Sequence, residues 1–176
     1  MNNCKNTGRK TENMLPDPKH VEECSAGLAH ADITALFLPE GTVESKKADA
    51  ISIELADLFG RRLHPVEKPG PGMIAFVMDA DRPNGPKHYQ LRIQNDRIDI
   101  KGASVKALRL SLKALRQLLV AGEDKLPGLL IDDWPHYEFR GLSDDVSRYK
   151  ISTRKHFDYQ LANLARLKYN VYQPYI

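Results

Sequence analysis

Trp134-Pro135-His136-Tyr137-Glu138-Phe139-Arg140-Gly141-Leu142-Ser143-Asp144-Asp145-Val146-Ser147-Arg148 is the stretch on which the fold turns. It sets an aromatic residue, two arginines and adjacent acids around one apolar strand, read over residues 137–142. Pro135 favours an extended residue before it, so a turn leads into that strand. Downstream, Ser152 or Thr153 can cap a helix reaching about Tyr169, with Phe157, Leu161 and Leu164 on its buried side. Asn170 to Ile176 then reads as a second strand. Strand, helix and strand with short joints make a βαβ unit, which calls for parallel pairing and a right-handed crossover. A full β/α barrel takes roughly 250 residues. Residues 126–176 therefore read as a linker and the first unit of a truncated (β/α)8 barrel.

Upstream the pattern changes. Residues 1–13 are polar without periodicity and read as a disordered leader. Ala31 to Leu38 is an apolar run of strand length, ended by Pro39. Ser45 offers an N-cap, and Ala48, Ile51, Leu55 and Leu58 follow at helical spacing, predicting a helix over 46–59 stopped by Gly60. Arg62 to Val66 and Gly72 to Met78 are strand candidates separated by the Pro69-Gly70-Pro71-Gly72 turn cluster. Tyr89, Leu91 and Ile93 alternate with polar residues, as do Ile98 and Ile100. Asn95-Asp96 between them predicts an antiparallel hairpin with a type I′ turn. Val105, Leu108, Leu112, Leu115 and Leu119 then mark a helix over 103–120, between Gly102 and Gly122. Lys106, Arg109, Lys113 and Arg116 line a neighbouring face; a solvated face accounts for them better than an anion-binding stripe. Residues 14–125 thus read as an α+β domain, a mixed sheet with two helices packed on one face.

Bulk properties narrow the function classes. The 176 residues are 41% hydrophobic and 28% charged, an ordinary globular composition. A net charge of +3, with the basic residues spread among 23 acids, gives no case for nucleic acid. No window approaches the ~18 apolar residues of a membrane span. The first thirty residues lack the apolar core of a secretion signal, so no membrane partner is expected and the default compartment is the cytoplasm. Cys4 and Cys24 are too few for a disulfide framework and read as two free thiols. The six histidines show no metal spacing, and no phosphate-binding loop or nucleophile elbow appears; neither metal nor cofactor is expected.

Two segments carry a resemblance. Arg140-Gly141-Leu142, two further residues, then Asp145-Val146-Ser147-Arg148 is similar to the first barrel strand of glycoside hydrolase family 20, the β-N-acetylhexosaminidases. Lys168-Tyr169-Asn170-Val171 is similar to the end of the family's next helix. Leu15 to Lys19 and the hairpin with its Leu-rich helix resemble the family's zincin-like, non-catalytic N-terminal domain. The resemblance covers residues 14–176. It implies a glycan substrate with a terminal N-acetylhexosamine. It also implies that Arg140 reaches sugar hydroxyls near the C-terminal end of its strand, a task suited to a planar fork of donors. The plain alternative for Arg140 is an ion pair with Glu138, Asp144 or Asp145. Asp145 and Arg148 are implied as supports of the loop after that strand. Asp132-Asp133 read as solvated turn formers.

The chemistry the family uses is not in this sequence. Its hydrolysis is substrate-assisted: the sugar acetamide attacks C1, a glutamic acid protonates the leaving oxygen, and a neighbouring aspartate steadies the acetamide nitrogen. No Asp-Glu dipeptide occurs, and the single tryptophan, Trp134, precedes the first strand. No catalytic residue is therefore assigned, and the chain is expected to be inactive alone. A complete non-catalytic carbohydrate-binding or docking module is the alternative, and an O-GlcNAcase-like family 84 enzyme the alternative within hydrolases. The C-terminal strand would end on an unpaired apolar edge, a route to self-association.

Overall fold

The computed structural model describes residues 11, 14–24, 27–39, 44–120, 124–147 and 152–175. Cys4, Gly122, Arg148 and nearly all of the leader lie outside them. The chain divides into two compact units, one up to Trp134 and one from Pro135.

In the first unit the strands are β1 (His20–Glu23), β2 (Leu28–Ala29), β3 (Ala35–Phe37), β4 (His64–Val66), β5 (Met73–Met78), β6 (Tyr89–Ile93), β7 (Arg97–Gly102), β8 (Lys125–Leu126) and β9 (Leu129–Asp133). The helices are α1 (Ser45–Phe59) and α2 (Val105–Val120). Seven strands form one sheet in the order β1-β9-β6-β7-β5-β3-β4, while β2 and β8 pair separately. Pairing is parallel from β7 through β5 and β3 to β4 and antiparallel from β7 through β6 and β9 to β1, so the sheet is mixed.

The period-two pattern decides which face is buried. Leu91, Ile93, Ile98 and Ile100 turn inward with Ile74, Phe76, Leu129 and Ile131, and Ile51, Leu55, Phe59, Leu108, Leu112 and Leu115 of the helices complete the same core. Both helices thus cover one face of the sheet. Gly60 ends α1 in the left-handed region, φ 67°, where a side chain would cost energy. The guanidinium of Arg61 then donates from Nη2 to the carbonyls of His30, Ala31 and Ile33, at 2.9, 2.9 and 2.7 Å, tying the helix exit to the short 3-10 turn His30–Asp32. Gly102 lies directly under α2. A Cβ there would stand 2.7 Å from Leu108 Cδ2 and 3.1 Å from the Leu108 nitrogen.

Several expectations change. Leu129–Asp133, expected in a linker, is β9, paired on both sides between β1 and β6. Its apolar run is what burial between two strands requires. The β6–β7 turn has two residues, with Gln94 N–H donating to Arg97 O at 2.9 Å, but neither Asn95 nor Asp96 has positive φ, so it is not type I′. The Asp96 carbonyl instead accepts from Gly72 N–H at 2.6 Å, a tie to the start of β5. Cys24 is disulfide-bonded rather than free. A count of cysteines does not by itself give their oxidation state. The basic face of α2 is not simply solvated: Arg109 pairs with Glu54 at 3.2 Å and Arg116 with Asp57 at 2.6 Å, both on α1.

The second unit contains β10 (Gly141–Asp145), α3 (Arg154–Arg166) and β11 (Val171–Tyr175). β10 and β11 are parallel, with Gly141 opposite Val171, Ser143 opposite Gln173 and Asp145 opposite Tyr175. The βαβ topology is present, but β10 starts four residues later than read, and residues 137–139 are not strand. Thr153 caps α3, its Oγ1 accepting from His156 N–H at 3.2 Å. Phe157 and Gln160 meet Tyr172, whereas Leu161, expected inward, is exposed.

Candidate functional site

Three residues that carry the resemblance, Arg140, Lys168 and Asn170, meet at one end of the parallel pair. Arg140 immediately precedes β10, at its N-terminal end, not near the C-terminal end as expected. Its Nε donates to Lys168 O at 2.9 Å and its Nη1 to Tyr137 O at 2.7 Å and Glu138 O at 3.5 Å. Asn170 completes the knot: Oδ1 accepts from Arg140 N–H at 2.7 Å, Nδ2 donates to Glu138 O at 2.7 Å, and its own N–H donates to Arg140 O at 2.9 Å. Lys168 is buried with φ 62°, a left-handed conformation that costs a non-glycine residue about 1 kcal/mol or more. Arg140 holds the carbonyl of that strained residue. The arginine, lysine and asparagine of the two motifs thus act together to close the chain between α3 and β11 onto the entry of β10.

The opposite end differs. Asp145 ends β10, and its Oδ1 accepts from Ser147 N–H at 2.9 Å and Ser147 Oγ at 2.5 Å. The hydroxyl bond, then the backbone bond, hold its carboxyl below the usual carboxylate range. This is an Asx-type turn that shapes the loop after the strand. Val146 N–H donates to Tyr175 O at 2.9 Å, continuing the pairing to the same end. Arg148, expected beside Asp145, lies outside the described residues.

Because strand side chains alternate, Asp144 points to the other face from Asp145. Tyr172 OH donates to Asp144 Oδ2 at 3.0 Å, on the side covered by Phe157 and Gln160. Desolvation there, with the Asp144 hydrogen bond second, raises the Tyr172 phenol above its ordinary value. The sequence offered no signal for this pair, since Tyr172 stood in it as one of several apolar strand positions.

A second polar cluster sits at the end of β9 in the first unit. Asp132 Oδ1 accepts from Arg82 Nη2 and contacts His88 Nε2, each at 2.7 Å, while Arg82 Nη1 reaches Asp79 Oδ2 at 3.3 Å. The Trp134 ring packs against His88 at 5.1 Å and His20 at 5.6 Å. Asp133 points to the other face. Its Oδ2 accepts from Tyr89 OH at 2.7 Å and its Oδ1 from Lys19 N–H at 3.2 Å. The two aspartates are partnered strand residues, not solvated turn formers. Their partners lie 44 to 114 residues away, so no local pattern could have shown them. Among the described residues no group of three or more His, Cys, Asp or Glu is placed to hold a metal ion. No helix there is long and apolar enough to cross a membrane.

An α+β sheet domain followed by a parallel βαβ unit is the organisation of a class of glycoside hydrolases. The β-N-acetylhexosaminidase of Streptomyces coelicolor A3(2) superposes with a TM-score of 0.76 at 26% identity, covering 98% of this chain and 36% of that one. That of Streptomyces plicatus gives 0.74 at 25% identity, covering 93% and 34%. Residues 11–134 match the family model described as glycosyl hydrolase family 20, domain 2, and the chain belongs to glycoside hydrolase family 20. A β-N-acetylhexosaminidase of Cellulomonas fimi is 31% identical over 109 residues, which are 57% of this chain and 22% of that protein. The β-hexosaminidase B of Pseudoalteromonas piscicida is 34% identical over 77 residues, 44% of this chain and 10% of that one. The chain therefore spans a minor part of the length of its relatives.

Proposed function

We propose that this chain is the N-terminal portion of a β-N-acetylhexosaminidase that removes terminal N-acetylhexosamine from glycans, with Pro135 onward the first β/α unit of its catalytic barrel. The observation that carries this reading is the bare face of β10 and β11 opposite α3. Gly141, Ser143 and Asp145 stand there beside Val171, Gln173 and Tyr175, and all six are exposed. In a (β/α)8 barrel that face becomes the lumen, filled by layers from neighbouring strands. β11 has no partner but β10 among the described residues, leaving an edge for the next strand or for self-association.

Such barrels place chemistry at the C-terminal ends of their strands. Asp145 and Tyr175 stand at that rim, and Arg148 follows it in sequence. Arg140 stands at the other end, where its Nε and Nη1 donate to backbone carbonyls, and in this reading it is the residue that meets sugar hydroxyls in the longer protein. Asp145 and Arg148 are the proposed supports of the loop after β10. The acid that protonates the leaving oxygen is supplied by a later strand, because no Asp-Glu pair exists in these residues.

The test is turnover of an aryl N-acetyl-β-D-glucosaminide. The 176-residue chain is expected to give none above background. A longer product of the same gene that includes an Asp-Glu pair is expected to hydrolyse it, and to lose at least about a thousandfold when that Glu becomes Gln. Turnover by the 176-residue chain itself would contradict the reading.

A further inference from the structure

We propose that the open face of the seven-stranded sheet is a second glycan-binding surface, selective for acidic, uronate-bearing oligosaccharides. The face turned away from α1 and α2 is not flat. It holds a depression of about 450 Å³, within the size range of small-ligand sites. Its walls are the outward residues of β6 and β7, and its apolar floor includes Ala75 and Val77 of β5.

Charge decides what would fill it. Register places Arg92 directly opposite Asp99, the arrangement that normally gives a cross-strand ion pair. That pair does not form. Asp99 Oδ2 accepts instead from Arg97 Nε at 3.1 Å and from Gln94 Nε2 at 2.6 Å. Arg92 and Lys101 are left without an ion-pair or side-chain hydrogen-bond partner among the described residues. Lys101 stands opposite Gln90, so a guanidinium, an ammonium and an amide border the same apolar floor.

A partly buried guanidinium with no counter-charge is a ready fork for a carboxylate. The amide and floor suit a pyranose ring, with hydroxyls at its edge and C–H groups on its face. Among the described residues Phe37 is the one aromatic side chain lining the depression, which does not give the successive stacking platforms of a nucleic-acid groove. That the ligand is a glycan rests on the family reading above; that it is anionic rests on the uncompensated charge alone.

Binding to the 176-residue chain tests this without any need for catalysis. The probe is a tetrasaccharide of alternating glucuronate and N-acetylglucosamine, and the neutral comparison is the β-linked N-acetylglucosamine tetramer. The acidic probe is expected to bind saturably, to shift amide resonances of β5, β6 and β7, and to weaken as salt rises because the contact is electrostatic. The double variant Arg92→Gln/Lys101→Gln is expected to lose at least about tenfold in affinity. Arg154→Gln on α3 is expected to change nothing. Equal binding of the neutral tetramer, unchanged affinity in the double variant, or no saturation by about 10 mM would overturn the proposal. So would tighter binding of an oligothymidylate of matched charge. A chain that fails here while its longer form hydrolyses the aryl glycoside refutes this surface and leaves the hydrolase reading intact.

Discussion

Tyr89 shows how much one residue of the α+β unit does and how little of it could be read locally. Its alternation with Leu91 and Ile93 announces an inward strand position. The hydroxyl's partner, Asp133, lies 44 residues on and is nearly buried itself. Burial first, then the Asp133 charge and hydrogen bond, hold the phenol well above its ordinary value. A phenol whose pKa is raised on folding contributes stability that is complete below its unfolded value, about 10, and is lost as pH rises toward the folded value. Tyr89→Phe is therefore expected to cost roughly 1–2 kcal/mol at neutral pH, by denaturant titration. The same variant should decline less steeply than the parent above about pH 10. An equal alkaline slope in both proteins would contradict the assignment. Arg140 teaches the complementary lesson. The sequence set Lys168 and Asn170 in a separate motif with nothing to join them to Arg140, and which end of the strand the three close depends on where the pairing starts, since strand boundaries are set by hydrogen bonds that no local pattern fixes.

At the scale of elements, legibility followed periodicity. The β6–β7 hairpin and both helices of the first unit could be read because one face of each is apolar at the right spacing. β1 could not: Val21 is the one apolar residue of its four and none is fully buried, as befits an edge. β9 was hidden for the opposite reason, an apolar run beside an Asp-Asp-Trp-Pro sequence that looks like a joint. The packing of α2 on β7 was also outside the pattern, yet it puts a sharp demand on Gly102. Gly102→Ala brings a methyl to 2.7 Å from Leu108 Cδ2 and close to helix backbone. It should cost about 1–3 kcal/mol in thermal or chemical unfolding. By contrast, removing the exposed Arg116–Asp57 pair should cost no more than about 1 kcal/mol. If Gly102→Ala proved the milder of the two, the close approach of α2 to the sheet would be wrong.

At the scale of the whole molecule, the two units differ in kind. The first has a continuous core in which Leu91, Ile93, Ile98 and Ile100 are fully enclosed. In the second no residue of α3 is buried, and Phe139, Tyr159 and Tyr175 are largely exposed. A unit of roughly forty residues with two strands and one helix is too small to be stable without further packing. That is what the proposed reading of residues 135 onward as a barrel opening expects. Hydrogen exchange of the 176-residue chain at the level of individual amides tests this most directly. Amides of β10, α3 and β11 are expected to exchange orders of magnitude faster than those of β6, β7 and α2, through local opening that leaves the first unit folded. Equal, strong protection of both units in a monomer would contradict the account, because it would mean the second unit is finished as it stands.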